Sequence, residues 1–289
     1  MILLRCVVFY LFIVTPFLGT AQIDFEERQQ DLAFYADVLV NARAAQHRER
    51  AHETFYTNFK TLLDEEGSFD FPFDSLHWIS IQDSPDNTFR FITWQLMGQN
   101  NSYAYYGFYQ DKTSLIELNS TVDFDRNLVY EDITPDNWYG QLIYDIVPVD
   151  DYYMIFGFRQ IDQFTKTKVA DVMRKEDGKL TFGAPIFKTG ESAYKENMSR
   201  VVIQYSADVL ANLTYNPGLN MLVFDNLIER MGRIPGQGQT LLPDGTYKAY
   251  KNDGENWTYV NHLYEEIVDE KPKTGNRKEQ RDIFGKGKN

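Results

Sequence analysis

The feature that most constrains the fold of this chain is a repeated strand–turn–strand pattern from Leu76 onward. Five pairs of apolar runs flank short segments rich in Gly, Pro, Asn and Asp, and one of these segments contains Asp177-Gly178, a pair suited to a tight hairpin. Strands adjacent in sequence tend to pair, so the pattern predicts an antiparallel meander. The paired runs are 89–96 with 103–109, 142–147 with 152–158, 169–174 with 180–182, 209–215 with 221–224, and 246–251 with 257–260.

Several of these runs are apolar on both faces. In the first run, Phe89 and Phe91 share one face and Ile92 and Trp94 share the other, and the run 152–158 behaves alike. A sheet covered on one face only would alternate apolar with polar residues. The pattern therefore predicts a mainly β fold with layered sheets or a sandwich, and an irregular β-propeller is the alternative. The irregular spacing of the turns favours the layered sheets.

Residues 22–68 are predicted to be helical, and residues 69–267 to form the β domain. Asp24 and Glu27 have the spacing of a capping box. The charge-dense stretch 44–53 leaves open two helices or one long helix with an exposed middle. Apolar residues recur at helical spacing on both sides of that stretch: Leu32, Tyr35, Leu39 and Ala42 before it, and Phe55, Phe59, Leu62 and Leu63 after it.

Residues 1–21 have the features of a cleaved signal peptide. Arg5 precedes an apolar stretch that is short for a membrane span, and small residues at Gly19 and Ala21 precede the expected cleavage site. The alternative is a retained membrane anchor. We expect export to the periplasm or the extracellular space after cleavage behind Ala21, with no integral membrane segment in the mature chain.

Composition limits the function classes. The single cysteine, Cys6, lies in the predicted signal peptide, so the mature chain would have no disulfide and no thiol nucleophile, which suits a bacterial envelope. The formal net charge of −13 disfavours nucleic acid and anionic membranes as partners. Residues 268–289 are rich in Lys, Arg and Gly with few apolar residues, which predicts a disordered tail.

One stretch has the alternating oxygen ligands of a calcium loop. Asp123, Asp125 and Asn127 could converge on a hard cation, but Leu128 and Thr134 replace the Gly and Glu of the helix-loop-helix calcium motif. A polar loop between strands is the preferred interpretation. No histidine pattern indicates zinc, and no cofactor is expected.

The strongest binding feature is aromatic. Trp138 and Tyr139 follow Asp136 and Asn137, and Trp257 follows a hairpin turn. Flat rings beside polar acceptors suit a sugar site. The alternative, which we prefer, is that these rings close the core at the starts of strands.

Motifs for catalysis are weak. There is no nucleophile elbow, and residues 232–238 lack the Gly-Lys-Ser/Thr ending of a phosphate loop and are predicted to be a mobile loop. Acidic residues in turns and at strand ends could pair in space for glycoside hydrolysis, although turn geometry explains most of them. These residues are Asp136, Asp150, Asp225 and Asp244.

Five short segments together resemble a group of exported, strand-rich envelope proteins of Gram-negative bacteria for which no activity is known. The segments are Trp138-Tyr139-Gly140-Gln141-Leu142-Ile143-Tyr144, residues 152–157, Phe182-Gly183-Ala184-Pro185-Ile186-Phe187, Val223-Phe224-Asp225-Asn226-Leu227 and Pro243-Asp244-Gly245-Thr246-Tyr247. The resemblance implies an envelope location and a β-rich fold, and no site residues.

The function expected from the sequence is a non-enzymatic binding or interaction protein that recognises a glycan or an envelope protein. A glycan-directed hydrolase using acidic residues at strand ends is the alternative, and a structural assembly subunit is a third. A hydrolase predicts a pocket with paired carboxylates of shifted pKa, whereas a subunit predicts a large apolar patch.

Overall fold

A computed structural model describes residues 24–120, 129–189 and 197–263, which form two helices and fourteen strands. The predicted signal peptide and tail lie outside the described residues. The helices are α1 (Phe25–Asn41) and α2 (Ala45–Leu63). The strands are β1 (Ser80–Asp83), β2 (Phe89–Met97), β3 (Tyr103–Asp111), β4 (Leu115–Asn119), β5 (Leu142–Val149), β6 (Tyr152–Gln160), β7 (Thr165–Glu176), β8 (Lys179–Phe182), β9 (Phe187–Lys188), β10 (Arg200–Ser206), β11 (Leu213–Asn216), β12 (Met221–Met231), β13 (Gln239–Asn252) and β14 (Trp257–Val260).

The helical segment is two helices rather than one. Asp24 caps α1, since its Oδ1 accepts the backbone N–H of Glu27 at 3.0 Å. The chain turns extended at Ala42, which ends α1. The buried guanidinium of Arg48 donates to the carbonyl oxygens of Ala42 and Met97, each at 2.7 Å, and so ties the break between the helices to the end of β2. None of the described helices combines the length and the apolar character needed to cross a membrane.

The strands form three sheets. The first sheet is the meander β1-β2-β3-β4, and the second has the order β10-β7-β6-β5 with β8 paired to β7. The third sheet has the order β11-β12-β13-β14-β9, in which only the short β14–β9 pair is parallel. All five predicted hairpins are present, and Asp177 and Gly178 have φ angles of 48° and 78°, as the Asp-Gly turn requires.

The helices and the three sheets stack in series, which confirms the mainly β, layered fold. In β2, Trp94 packs against the helices and Phe91 against the second sheet. In β6, Ile155 faces the first sheet and Phe156 faces the third, where it joins a cluster that contains Leu222. Alternate side chains of one strand thus fill two different cores. The order of layers is helices, first sheet, second sheet, third sheet.

The structure adds two details to the sequence expectation. Strands β1, β4, β9 and β10 were not among the predicted runs. The stretch 232–238, predicted as a mobile loop, is the closed end of the β12–β13 hairpin, where the N–H of Gly232 donates to the Gly238 oxygen at 2.7 Å. The Gln237 amide then donates to the Phe164 carbonyl oxygen at 2.7 Å, which holds the end of the hairpin against the second sheet.

A buried arginine joins the helical layer to the first sheet. Arg90 of β2 is 1% exposed, and its guanidinium donates to the Gln110 amide oxygen and to the carbonyl oxygens of Ser68 and Phe71 at 2.7–2.9 Å. These two carbonyls belong to the segment that leads from α2 to the sheet. Arg90 therefore supplies the donors for three acceptors that have left water.

We predict that Arg90→Met destabilises the protein by about 3 kcal/mol or more, because it leaves buried acceptors without donors. The measurement is urea unfolding followed by tryptophan fluorescence. Arg50→Met is the control, because Arg50 is exposed on α2. Equal stability of the two variants would contradict the role assigned to Arg90.

A buried histidine lies in the same layer. His52 of α2 packs against Tyr106 with ring centroids 4.0 Å apart and also against Trp94. Burial lowers the pKa of His52 to about 4, because the charged imidazolium cannot be hydrated there. Folding therefore favours the neutral ring.

This predicts a loss of stability as the pH falls from about 6.5, the value for an unfolded histidine, toward 4, since the unfolded chain binds the proton more tightly. The measurement is the free energy of unfolding from pH 7 to pH 4. His52→Phe should flatten the profile in this range, whereas His47→Phe, at an exposed position of the same helix, should keep the wild-type slope. Identical slopes in all three proteins would refute the assignment.

Candidate functional site

The first two sheets form a sandwich that is closed along one edge and open along the other. At the closed edge, Ser80 of β1 donates its hydroxyl to the Ile143 carbonyl oxygen of β5 at 2.5 Å, and the N–H of Ile143 donates to the Thr93 hydroxyl at 3.0 Å. At the opposite edge, β4 of the first sheet faces the β7–β8 hairpin of the second. A groove of about 620 Å³ lies between them.

One wall of this edge groove, as we call it, is an unpaired strand edge. In the described part of the chain β4 pairs with β3 alone. The N–H of Asp111 donates to the Ser114 oxygen at 3.0 Å, and hydrogen-bonded pairs alternate along an antiparallel ladder. It follows that Leu115, Glu117 and Asn119 direct their backbone N–H and C=O groups away from β3, into the groove.

The other walls come from the second sheet and from the segment before β5. Leu180 and Lys179 line the groove from β8, and Pro135 and Asp136 line it from a 3₁₀ turn that contacts β4. That segment is fixed to the second sheet because the backbone of Ile133 pairs with Phe182 of β8. The full lining is Lys60, Asp64, Leu115, Ile116, Glu117, Asn119, Thr134, Pro135, Asp136, Gly178, Lys179, Leu180 and Thr181.

A polar triad occupies the side of the groove next to α2. The Glu117 carboxylate accepts hydrogen bonds from the Tyr56 hydroxyl, at 2.5 Å, and from the Lys60 ammonium. Tyr56 and Lys60 are four residues apart and so share one face of the helix. The hydrogen bonds from Lys60 and Tyr56 hold the pKa of Glu117 below its usual range, whereas burial and then Glu117 raise that of Tyr56.

The turn that starts β4 is held in place from two sides. The Asp111 carboxylate accepts the backbone N–H groups of Thr113 and Ser114, each at 2.8 Å, and it is also bonded to the ammonium of Lys175 in β7. Burial by itself would raise the pKa of Asp111, but the bonds from Lys175, Thr113 and Ser114 outweigh it and keep that pKa well below its usual range. The turn thus fixes the distance between the two sheets at this end of the groove.

The edge groove continues at both ends of β4. A cavity of about 350 Å³ adjoins it through Asp64 and Leu115, and another of about 260 Å³ adjoins it through Asn119. Together the three spaces follow β4 from its first residue to Ser120, just past its end. The three spaces therefore lie in sequence along β4, which suits an extended ligand.

The structure places the three predicted aromatic binding residues in the core. Trp138, Tyr139 and Trp257 are all 0% exposed. Trp138 and Tyr139 pack between the first and second sheets, and Trp257 packs between the second and third, where its Nε1–H donates to the Tyr152 hydroxyl at 2.8 Å. None of the three presents a ring face to a ligand in this structure, and none lines the edge groove.

The predicted calcium ligands Asp123, Asp125 and Asn127 lie outside the described residues. Within the described residues, no group of three or more His, Cys, Asp or Glu side chains is placed to hold a metal ion. Among the four acidic residues considered for hydrolysis, Asp136 lines the edge groove. Asp225 is buried beside the Asn212 backbone N–H, and Asp244 caps a bulge in β13.

Sequence reasoning missed the strand that makes the site. The run 115–119 is only five residues long and contains Glu117 and Asn119, so it lacks the apolar density of the predicted runs. The signal that could have found it is the Asp111-x-Thr113-Ser114 turn after an apolar strand, because Asp in this position bonds the backbone two and three residues on.

No protein-family model, curated protein sequence or solved structure matches this chain. The described residues define it as a mainly β protein of three stacked sheets, with a helical layer over the first sheet and a groove along the edge of β4.

We predict that Trp138→Ala destabilises the protein by about 3–5 kcal/mol, because it empties a large volume between two sheets. The measurement is thermal and urea unfolding. Trp78→Ala is the matched control, because Trp78 is 51% exposed. A stable Trp138→Ala variant that has lost binding to an oligosaccharide would instead restore the sugar-platform hypothesis.

Proposed function

We propose that this protein is an exported binding protein whose ligand lies in the edge groove. The observation that carries the proposal is the edge of β4 that has no strand partner among the described residues and that offers backbone hydrogen-bonding groups along a groove. An edge of this kind is a template for association unless it is covered or blunted. Here the 3₁₀ turn at Pro135–Asn137 contacts β4, and the groove of about 620 Å³ lies beside both.

Export is supported by the chain's N-terminal sequence. Arg5, the apolar stretch after it and the small residues up to Ala21 have the order of a signal peptide. The absence of cysteine after Cys6 suits an envelope protein that does not use disulfides.

Binding is favoured over the hydrolase alternative by the state of the carboxylates. Glycoside hydrolysis needs one carboxylic acid that stays protonated, and so has a raised pKa. In the groove, Lys60 lowers the pKa of Glu117 instead. Burial does raise the pKa of Asp171, but this residue is sealed between strands and paired with Arg200 at 3.0 Å, where no substrate reaches it.

We predict that a ligand of this protein loses most of its affinity when the groove is filled. Asp136 is exposed on the groove wall, so Asp136→Trp should place an indole in the space while the fold persists. The measurement is a thermal-shift screen of peptides and oligosaccharides, in which a ligand at about 100 times its dissociation constant stabilises the folded state by about 2.7 kcal/mol.

The matched control is Asp31→Trp, at an exposed position of α1 outside the groove, which should bind like the wild type. A ligand that stabilises the wild type and both variants equally would place the binding site elsewhere and defeat the proposal.

A further inference from the structure

We propose that the ligand is an extended peptide segment, basic and apolar at alternate positions, which adds to the first sheet as a fifth strand beside β4. This inference rests on the proposed function and assigns a chemical class to its ligand. Three observations carry it: the direction of the backbone groups of β4, the two-sided lining of the groove, and the balance of charge around it.

The backbone groups come first. Leu115, Glu117 and Asn119 direct both N–H and C=O into the groove, and residues two apart along a strand are about 7 Å apart. An extended peptide offers complementary groups at the same repeat, as in other complexes formed by strand addition. A glycan has no such repeat of alternating donors and acceptors. Among the described residues that line the space of about 620 Å³ there is no aromatic ring on which a sugar could stack, whereas Tyr56, Tyr105 and Tyr106 line the adjoining cavity.

The lining then sets the side-chain pattern. An added strand has alternate side chains on the two faces of the sheet. On the face toward the second sheet, the side chains of the added strand would contact Ile116, next to the core residue Leu180 of β8. On the face toward α2 they meet Glu117, Lys60 and Asp64. The first face selects apolar side chains and the second selects polar ones.

The charge of the groove determines which charge the polar side chains of the peptide should carry. Glu117 is already neutralised by Lys60. The remaining charged residues of the groove are Asp64, Asp136 and Lys179, which together carry an excess of one negative charge. The chain as a whole carries −13. A basic peptide is therefore attracted to the groove and an acidic one repelled.

A second copy of the chain fits this edge poorly. Two β4 strands that paired antiparallel around their common centre would place Glu117 opposite Glu117, and like charges in directly opposed positions destabilise a strand pair. Self-association through β4 is thus an outcome that the test must be able to report.

The probe is a fluorescent peptide of sequence Lys-Val-Lys-Val-Lys-Val-Lys. The full-length protein, expressed and processed in the cell, is added to it in increasing amounts, and binding is measured as a rise in the fluorescence anisotropy of the peptide. Two derivatives carry N-methyl groups, one on the valines and the other on the lysines. In an added strand one alternate set of N–H groups faces β4 and the other faces away. One derivative should therefore lose affinity about tenfold or more, and the other should bind like the parent peptide. The Glu-Val-Glu-Val-Glu-Val-Glu analogue should bind at least about tenfold more weakly.

The protein-side variant is Glu117→Pro, which removes one N–H that faces the groove and leaves the β3–β4 ladder its bonds. Glu117→Ala is its matched control, because it removes the same side chain and keeps the N–H. Glu117→Pro should weaken binding about tenfold relative to Glu117→Ala. The peptide derivatives test the wild-type chain, so the inference stays falsifiable even if the proline variant does not fold.

The outcomes separate this inference from the proposed function. Equal binding of both N-methylated peptides, or binding of an oligosaccharide alone that Asp136→Trp abolishes, overturns strand addition and leaves the groove as the binding site. Peptide binding that Asp136→Trp leaves unchanged overturns both. A dimer in light scattering that Glu117→Pro dissociates overturns the peptide in favour of a second copy.

Discussion

The burial of the second sheet on both faces is the constraint on which the rest of the structure depends. Its strands carry Ile155 and Val169 toward the first sheet and Phe156 and Val172 toward the third. If either neighbouring layer were missing, the second sheet would expose a whole apolar face to water, at a free-energy cost of about 25 cal/mol for each Å². The first sheet has the same property and is covered by the helices through Trp94. Each layer is therefore required by the one beside it.

Stacked sheets must still end somewhere, and the edge strands show how. Along one side the first two sheets are tied together by bonds between Ile143 and its neighbours, so that edge is closed. Along the other side the sheets are connected by the turn that Asp111 and Lys175 hold. The segment before β5 is a second connection, because Ile133 pairs with Phe182 of β8 and the 3₁₀ turn that follows contacts β4, and the gap remains beside Glu117. The edge groove is thus a result of how the sandwich is fastened, and its polar side comes from α2.

Much of the layering was predictable because the sequence pattern that encodes it is local. The two-face character of Phe91 and Trp94 and the Asp177-Gly178 turn depend on neighbours in the chain. The site was not predictable, since it depends on β4 and the β7–β8 hairpin, which are about 60 residues apart in sequence. The aromatic motif at Trp138 was compatible with a sugar site and with the preferred alternative, a ring that closes the core, because burial is a property of the assembled sheets. Only the three-dimensional arrangement places that ring between two layers.

The serial order of the layers has a consequence for how the molecule opens. The packing clusters join the helices to the first sheet, the first sheet to the second, and the second to the third. Each layer is therefore stabilised by contacts with the layers next to it. In a series of layers of this kind, the outer layers can detach while the inner layers stay folded. Amide protons in β6, which has a neighbouring layer on each face, then exchange with solvent only through global unfolding. Those in α1 exchange through a partial opening of lower free energy, in which the helical layer detaches and the three sheets remain.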